Sequence, residues 1–189
     1  GIPDEMRQNI AYGHLPGVLP YTLQDAYTRQ RRPRAFKAVV LENEHLRAVF
    51  LPELGGRLWS LRHIPSGREL VTVNPVFQPA NLALRNAWFS GGVEWNIGTI
   101  GHTPTTCSSL FAVQAVTPDG TPVLRMYEFE RMRGVVYQID AWLPDGAEML
   151  RVHVRIVNPH AQDIPMYWWS NIAVPETEGT RVIVPAESA

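Results

Sequence analysis

The side chains best suited to chemistry are concentrated in residues 88–104 of this sequence. The stretch supplies a carboxylate, a carboxamide, a titratable ring, flat apolar faces and a flexible glycine pair: Glu94, Asn96, His102, Trp88, Trp95 and Gly91-Gly92. Hydrogen-bonding groups beside aromatic faces suit a pyranose ring, which carries hydroxyls at its edge and C–H bonds on its faces. The stretch therefore predicts a sugar site. The alternative is a buried loop whose tryptophans belong to the core.

Two reactions would use these groups in different ways. Glu94 together with a second carboxylate would suit glycoside hydrolysis, in which two acids flank the scissile bond. Glu94 together with His102 would suit acid and base catalysis at a ring oxygen or an anomeric hydroxyl. We predict Glu94 and His102 as catalytic residues and leave both reactions open, with a hydrogen-bonded structural imidazole as the alternative role for His102.

A second aromatic cluster lies at residues 167–171. If this segment is a strand, alternation places Trp168 on one face and Trp169 with Asn171 on the other, so one tryptophan joins the core and the other is free to stack on a sugar. Gly55-Gly56 reads as a tight turn between strands, followed by a guanidinium that could enter a cleft. The predicted substrate-binding residues are Arg57, Trp95, Asn96, Trp168, Trp169, Asn171 and Glu176.

Other chemistries find little support in the sequence. The six histidines include no pair at metal-ligand spacing, and phosphate-loop, nucleophile-elbow and dinucleotide motifs are missing, so we predict no metal and no cofactor. The single Cys107 excludes an internal disulfide and fits a reducing, cytoplasmic location.

Composition narrows the class of protein. Of 189 residues, 45% are hydrophobic and 19% are charged, which is typical of a globular chain. With a formal net charge of -1, the chain has no excess of positive charge that would attract nucleic acid. No apolar run is long enough to span a membrane. We therefore expect neither a nucleic acid nor a membrane as partner.

The chain divides into a proline-rich arm, residues 1–33, which we expect to wrap over the domain, and a β-sandwich domain, residues 34–189. Short alternating runs separated by Pro-Asp-Gly and similar turns predict an all-β antiparallel sandwich. Residues 74–104 have little periodicity and are expected to be an irregular functional connection. The predicted strands are 35–41, 46–51, 57–62, 68–71, 110–116, 123–130, 135–143, 149–157, a segment within 164–174, and 181–184.

Four segments together resemble a bacterial domain of unknown function that is commonly fused to tetratricopeptide repeats and looks like part of the galactose-mutarotase-like superfamily: 51–61, 90–96, 101–104 and 167–174. The resemblance implies a large antiparallel supersandwich that binds carbohydrate, of which this chain would be the first part. It also implies that His102 corresponds to the first catalytic histidine of aldose epimerases. The strand around Asn171 lacks their second histidine, and their late glutamate would fall beyond residue 189.

Two functions follow from the sequence. The first is a carbohydrate-binding or carbohydrate-active domain, similar to a glycoside hydrolase or an aldose epimerase. The alternative is a non-catalytic β-sandwich module that mediates protein–protein interaction beside tetratricopeptide repeats of the same full-length chain.

Overall fold

The structure, a computed structural model, describes residues 3–4, 19–24, 28, 30–77, 85, 87–98 and 101–183. Within these residues the chain forms ten strands and one 3-10 turn, Pro52–Leu54. The strands are β1 (Val39–Glu42), β2 (Leu46–Leu51), β3 (Arg57–His63), β4 (Arg68–Glu69), β5 (Val93–Ile97), β6 (Phe111–Val116), β7 (Pro122–Glu130), β8 (Val135–Trp142), β9 (Arg151–Val157) and β10 (Trp168–Ile172).

The strands pair into two antiparallel sheets. One has six strands in the order β1-β2-β3-β5-β10, with β4 paired to β3, and the other has four strands in the order β6-β7-β8-β9. All strand pairs in both sheets are antiparallel. The predicted all-β antiparallel sandwich is confirmed.

One hydrophobic core joins the two sheets. The six-stranded sheet contributes Phe50, Trp95 and Ile97, and the four-stranded sheet contributes Met126 and Ile139, each at most 7% exposed. These residues come from alternating positions along their strands, because successive side chains of a strand point to opposite faces. Burial of this apolar surface is the main force that holds the sheets together.

Strand β5 lies within residues 74–104, where the sequence predicts an irregular connection, and that prediction is wrong for Val93–Ile97. Its sequence does alternate, with Val93, Trp95 and Ile97 separated by polar residues, but all five positions are buried. In a half-buried strand the polar face is exposed to solvent, whereas the polar face of β5 is buried as well. The predicted strand at 181–184 is wrong for Arg181–Ile183, which form no strand, and Val184 lies outside the described residues.

Strand β10 pairs with β5 and fixes the geometry of the site. In this register Asn171 lies opposite Glu94, and Trp169 lies opposite Asn96. Residues directly opposite on one face of an antiparallel pair bring their side chains within contact distance. Residues from both predicted clusters therefore share one surface.

Most of the predicted N-terminal arm lies outside the described residues, including Tyr12 and Tyr27. Tyr21 is described and is 6% exposed. Its hydroxyl donates to Glu130 Oε1 at 3.4 Å and accepts a hydrogen bond from the backbone N–H of Arg131 at 3.0 Å. Thus Tyr21 packs against the end of β7, while the course of the whole arm remains a prediction.

Candidate functional site

Glu94 is the centre of the candidate site and is only 2% exposed. Oε1 accepts a hydrogen bond from Thr106 Oγ1 at 2.5 Å. Oε2 accepts hydrogen bonds from four side chains: His102 Nδ1 at 2.8 Å, Trp88 Nε1 at 3.2 Å, Asn96 Nδ2 at 3.3 Å and Asn171 Nδ2 at 3.5 Å. We call Glu94 and these five partners the Glu94 cluster.

The cluster keeps Glu94 ionised. Burial alone raises the pKa of this carboxyl, but the hydrogen bonds from His102 and Thr106 and the charges of His102 and Arg57 outweigh burial, so the pKa falls from 4.5 to about 2. A general acid needs a pKa near the working pH, as in glycosidases that raise it by burial. Glu94 is thus poorly suited to donate a proton and well suited to hold a neighbouring group.

His102 is the group that Glu94 holds. An ionised carboxylate can only accept, so the Nδ1 atom of His102 must carry a hydrogen, and in the neutral ring Nε2 is then an acceptor. The His102 side chain is 24% exposed. Its ring lies beside Trp88, with the ring centroids 5.0 Å apart, and beside Trp169, at 5.4 Å. The structure therefore places a partly exposed, oriented imidazole between two indole rings.

The loop after β5 is anchored so that His102 faces Glu94. The Asn96 side chain is fully buried, and its Oδ1 accepts a hydrogen bond from the backbone N–H of Thr103 at 2.8 Å. Farther along, Thr105 Oγ1 lies 3.0 Å from the hydroxyl of Tyr137, a core residue of the opposite sheet. Asn96 thereby positions the histidine, and its own burial leaves it no surface for a ligand.

Arg57 is buried beneath the cluster and is 2% exposed. Its Nη1 donates to the Gly91 carbonyl at 2.9 Å, its Nη2 donates to Thr106 Oγ1 at 2.9 Å, and its guanidinium lies 3.9 Å from the centroid of the Phe89 ring. Nη2 also lies 3.8 Å from Glu94 Oε1. These contacts make Arg57 the internal countercharge of Glu94, in place of the predicted reach into a cleft.

Three other predicted binding residues lie away from the exposed imidazole. Trp95 is 7% exposed, belongs to the core and donates its indole N–H to the Gly56 carbonyl at 2.9 Å, because the odd positions of β5 face the opposite sheet. Trp168 packs against the same core. Glu176 is exposed beyond β10 and has no hydrogen bond to the cluster. For this reason, the ligand surface that we propose below does not include these three residues.

Trp169 and Asn171 lie close to His102 and Glu94, respectively, and alternation in their segment predicts that these two residues share one face of the strand. Two members of the cluster are not among the predicted site residues. Trp88 stands out in the sequence as an aromatic anchor of the same stretch, and the structure adds its hydrogen bond to Glu94. Thr106 carries no sequence signal beyond its nearness to His102.

Cys107 is expected to react slowly. Burial is the main cause that raises the pKa of its thiol from 9.0 to about 11, although the charge of Arg57 opposes it. Because the thiolate is the nucleophile, alkylation by iodoacetamide at pH 8 should be about 100-fold slower in the folded protein than in urea. Equal rates in the two states would contradict this environment for Cys107.

Acid is expected to weaken the fold through Glu94. Its pKa is 4.5 unfolded and about 2 folded, so its contribution is present above pH 4.5 and is lost as the pH falls toward 2. The shift corresponds to about 3 kcal/mol. Carbon-13 NMR of the glutamate carboxyls should show Glu94 titrating below pH 3. A midpoint near 4.5 would show that the cluster does not stabilise the charge.

The described residues contain no group of three or more His, Cys, Asp or Glu side chains that could hold a metal ion. Among the same residues there is no helix long and apolar enough to cross a membrane.

Fold and site together define an all-β antiparallel sandwich in which a buried carboxylate holds a partly exposed histidine between two tryptophans. Residues 14–189 match a family model described as Domain of unknown function (DUF5107), and the chain belongs to this family. A crystal structure of a TPR-domain containing protein from Parabacteroides distasonis ATCC 8503 is similar, with a TM-score of 0.72 and 29% sequence identity. The match covers 78% of this chain and 25% of that one, so the matched part of this chain spans only a quarter of that protein's length.

Proposed function

We propose that this domain binds a carbohydrate at the exposed edge of the Glu94 cluster. The observation that carries the proposal is the His102 ring, 24% exposed, hydrogen-bonded to Glu94 and lying beside both Trp88 and Trp169. The imidazole would contact a sugar hydroxyl, and the indole rings would pack on the C–H faces of the pyranose.

Trp169 gives further support. Its Nε1 is a buried donor with no hydrogen-bond partner among the described residues. A buried, unsatisfied donor costs about 1–3 kcal/mol, and a rotation of the indole that brought Nε1 to an oxygen atom of a bound ligand would recover this cost. Asn171 lies on the same face of β10. Its hydrogen bond from Nδ2 to Glu94 is long, at 3.5 Å, so a small movement would let Nδ2 donate to a ligand instead.

If the domain is catalytic, His102 is the group that exchanges the proton. Glu94 orients the ring through Nδ1 and leaves Nε2 for a hydroxyl or ring oxygen of the sugar. This division of roles favours chemistry at an anomeric hydroxyl, as in aldose epimerases, over hydrolysis with Glu94 as the acid, because the pKa of Glu94 is about 2. We include two further points in this proposal. The domain is a member of the galactose-mutarotase-like superfamily, and the protein is located in the cytoplasm.

A specific surface favours the second candidate function, an interaction module. The outer side of the four-stranded sheet carries a patch of exposed apolar residues, which we call the outer aromatic face: Phe111, Tyr127, Phe129, Val136 and Val157, each 38–60% exposed. The rings of Phe111 and Tyr127 stack with centroids 5.4 Å apart. Contiguous apolar patches mark interaction sites in soluble proteins. Tetratricopeptide repeats of a longer chain, as in the similar Parabacteroides protein, would be the partner.

Calorimetric titration with a panel of neutral mono- and disaccharides tests the carbohydrate proposal. We expect saturable binding of at least one sugar, abolished by His102→Ala and by Trp169→Ala. His153→Ala is the matched control, because His153 is exposed on β9 and should leave binding unchanged. Failure of every sugar to bind, or equal loss in the control, would refute the proposal and leave the interaction module.

A further inference from the structure

A cavity of about 280 Å³ lies apart from the Glu94 cluster. Its lining includes an aromatic ring, two guanidinium groups and three hydroxyls: Tyr21, Arg85, Arg131, Thr105, Ser108 and Ser109. Neither Glu94 nor His102 lines it. We call it the two-arginine cavity. Its volume is at the lower limit for small-molecule sites, about 300 Å³.

Arg85 is held rigidly in this cavity. Its Nε donates to the Thr22 carbonyl at 2.6 Å, and its Nη1 donates to the Pro104 carbonyl at 3.1 Å and to Ser108 Oγ at 2.9 Å. None of these acceptors carries a charge, and among the described residues neither Arg85 nor Arg131 has an ion pair. Both guanidinium groups lie 5.5 Å from the centroid of the Tyr21 ring. Within the described part of the chain, neither guanidinium group of the cavity is therefore paired with a carboxylate.

Two glutamates nearby limit the charge of a ligand. Glu128 lines the cavity, and its Oε1 accepts a hydrogen bond from the backbone N–H of Phe129 at 2.7 Å. Glu130 accepts hydrogen bonds from the Tyr21 hydroxyl and from the backbone N–H groups of Met132 and Arg133. Arg85, Arg131 and Glu128 together give the lining one net positive charge, so a ligand with one negative charge would balance it and a dianion would meet stronger repulsion from Glu128.

We propose that the two-arginine cavity binds a small hydroxylated monocarboxylate, the chemical class of the sugar acids. The carboxylate would accept hydrogen bonds from the guanidinium of Arg131 and from Nη2 of Arg85, because Nε and Nη1 of Arg85 already donate to protein oxygens. The hydroxyls of Ser108 and Ser109 line the same cavity and would meet hydroxyls of the ligand, whereas the Thr105 hydroxyl is bonded to that of Tyr137. This site goes beyond the proposed function, because it takes a charged ligand and its lining contains neither Glu94 nor His102.

Sodium D-glucuronate is the probe, and neutral D-glucose is its uncharged counterpart. Titration by calorimetry at low salt should show glucuronate binding that Arg131→Gln weakens by about tenfold or more, since a charged hydrogen bond is lost. Arg131 is exposed, so this variant should fold. Arg155→Gln, at an exposed position on β9, is the matched control and should bind as the wild type does.

His102→Ala separates this site from the Glu94 cluster. Glucuronate binding should survive this change, even though the change should abolish the binding of neutral sugars. The proposal is overturned if glucuronate does not bind the wild type saturably, if glucose competes for the same binding, or if His102→Ala abolishes it. It is equally overturned if Arg131→Gln and Arg155→Gln weaken binding to the same extent.

Discussion

Glu94→Gln is expected to lower the free energy of unfolding by about 3–5 kcal/mol at pH 7, the usual cost of removing one member of a buried charge pair. Arg57 would keep its charge at 2% exposure with no carboxylate beside it. The glutamine amide would also place a donor among the side chains that now donate to Glu94. Burial, more than the number of contacts, makes this single change costly.

Urea unfolding followed by tryptophan fluorescence measures this effect. Glu176→Gln removes the same charge from an exposed position and should change stability by less than about 0.5 kcal/mol. A loss that is equally small in both variants would mean that the Glu94 cluster does not hold the fold together. If Glu94→Gln accumulates only as insoluble protein while Glu176→Gln is soluble, the expected difference is upheld.

Gly92→Ala should be about as damaging, for a steric reason. Gly92 has a φ of 63°, and a Cβ atom there would lie 2.2 Å from the Leu58 carbonyl oxygen. The backbone of Gly92 also bridges two neighbours, with its N–H bonded to the Thr72 carbonyl and its carbonyl accepting from Ala173 N–H. Left-handed strain and overpacking together are expected to cost about 3–5 kcal/mol.

Gly120→Ala separates the two causes. Gly120 has a φ of 88°, but no atom lies within 4 Å of an added Cβ. It should therefore show only the backbone cost, about 1–2 kcal/mol. If the urea midpoints fall by the same amount in Gly92→Ala and Gly120→Ala, the Leu58 carbonyl oxygen does not clash with a Cβ atom at position 92, and the steric explanation is wrong.

Much of the fold could be predicted from the sequence. Period-2 alternation located β2 to the residue, Leu46–Leu51, and the turns beside them placed β7 and β8 to within one residue at either end. The turn residues mark these two strands even though Tyr127, Phe129 and Val136 are apolar and exposed. β5 was missed because Glu94 and Asn96 are polar and yet buried, which requires partners from β10 and the following loop that no local pattern contains.

The sequence predicts several of the residues that form the site, but it does not predict which of them are buried and which can contact a ligand. The sequence predicts Glu94, His102, Trp169 and Asn171 as site residues, and the structure brings them together. The same chemical reasons predict Arg57, Trp95 and Asn96, but these three residues are at most 7% exposed. Residue type gives hydrogen-bonding capacity, whereas exposure depends on which strand face meets the opposite sheet. Trp95 lies on the face of β5 that meets the opposite sheet and belongs to the core between the sheets.

A crystal structure of the protein soaked with the sugars that bind best in solution tests the central proposal most directly. We predict density for a pyranose against Trp88 or Trp169, with a hydroxyl within about 3.2 Å of His102 Nε2. Glu94 should keep its bond to His102 Nδ1 and make no contact with the sugar. Density elsewhere on the domain, or an empty edge beside His102 when calorimetry shows the site should be saturated, would contradict the account.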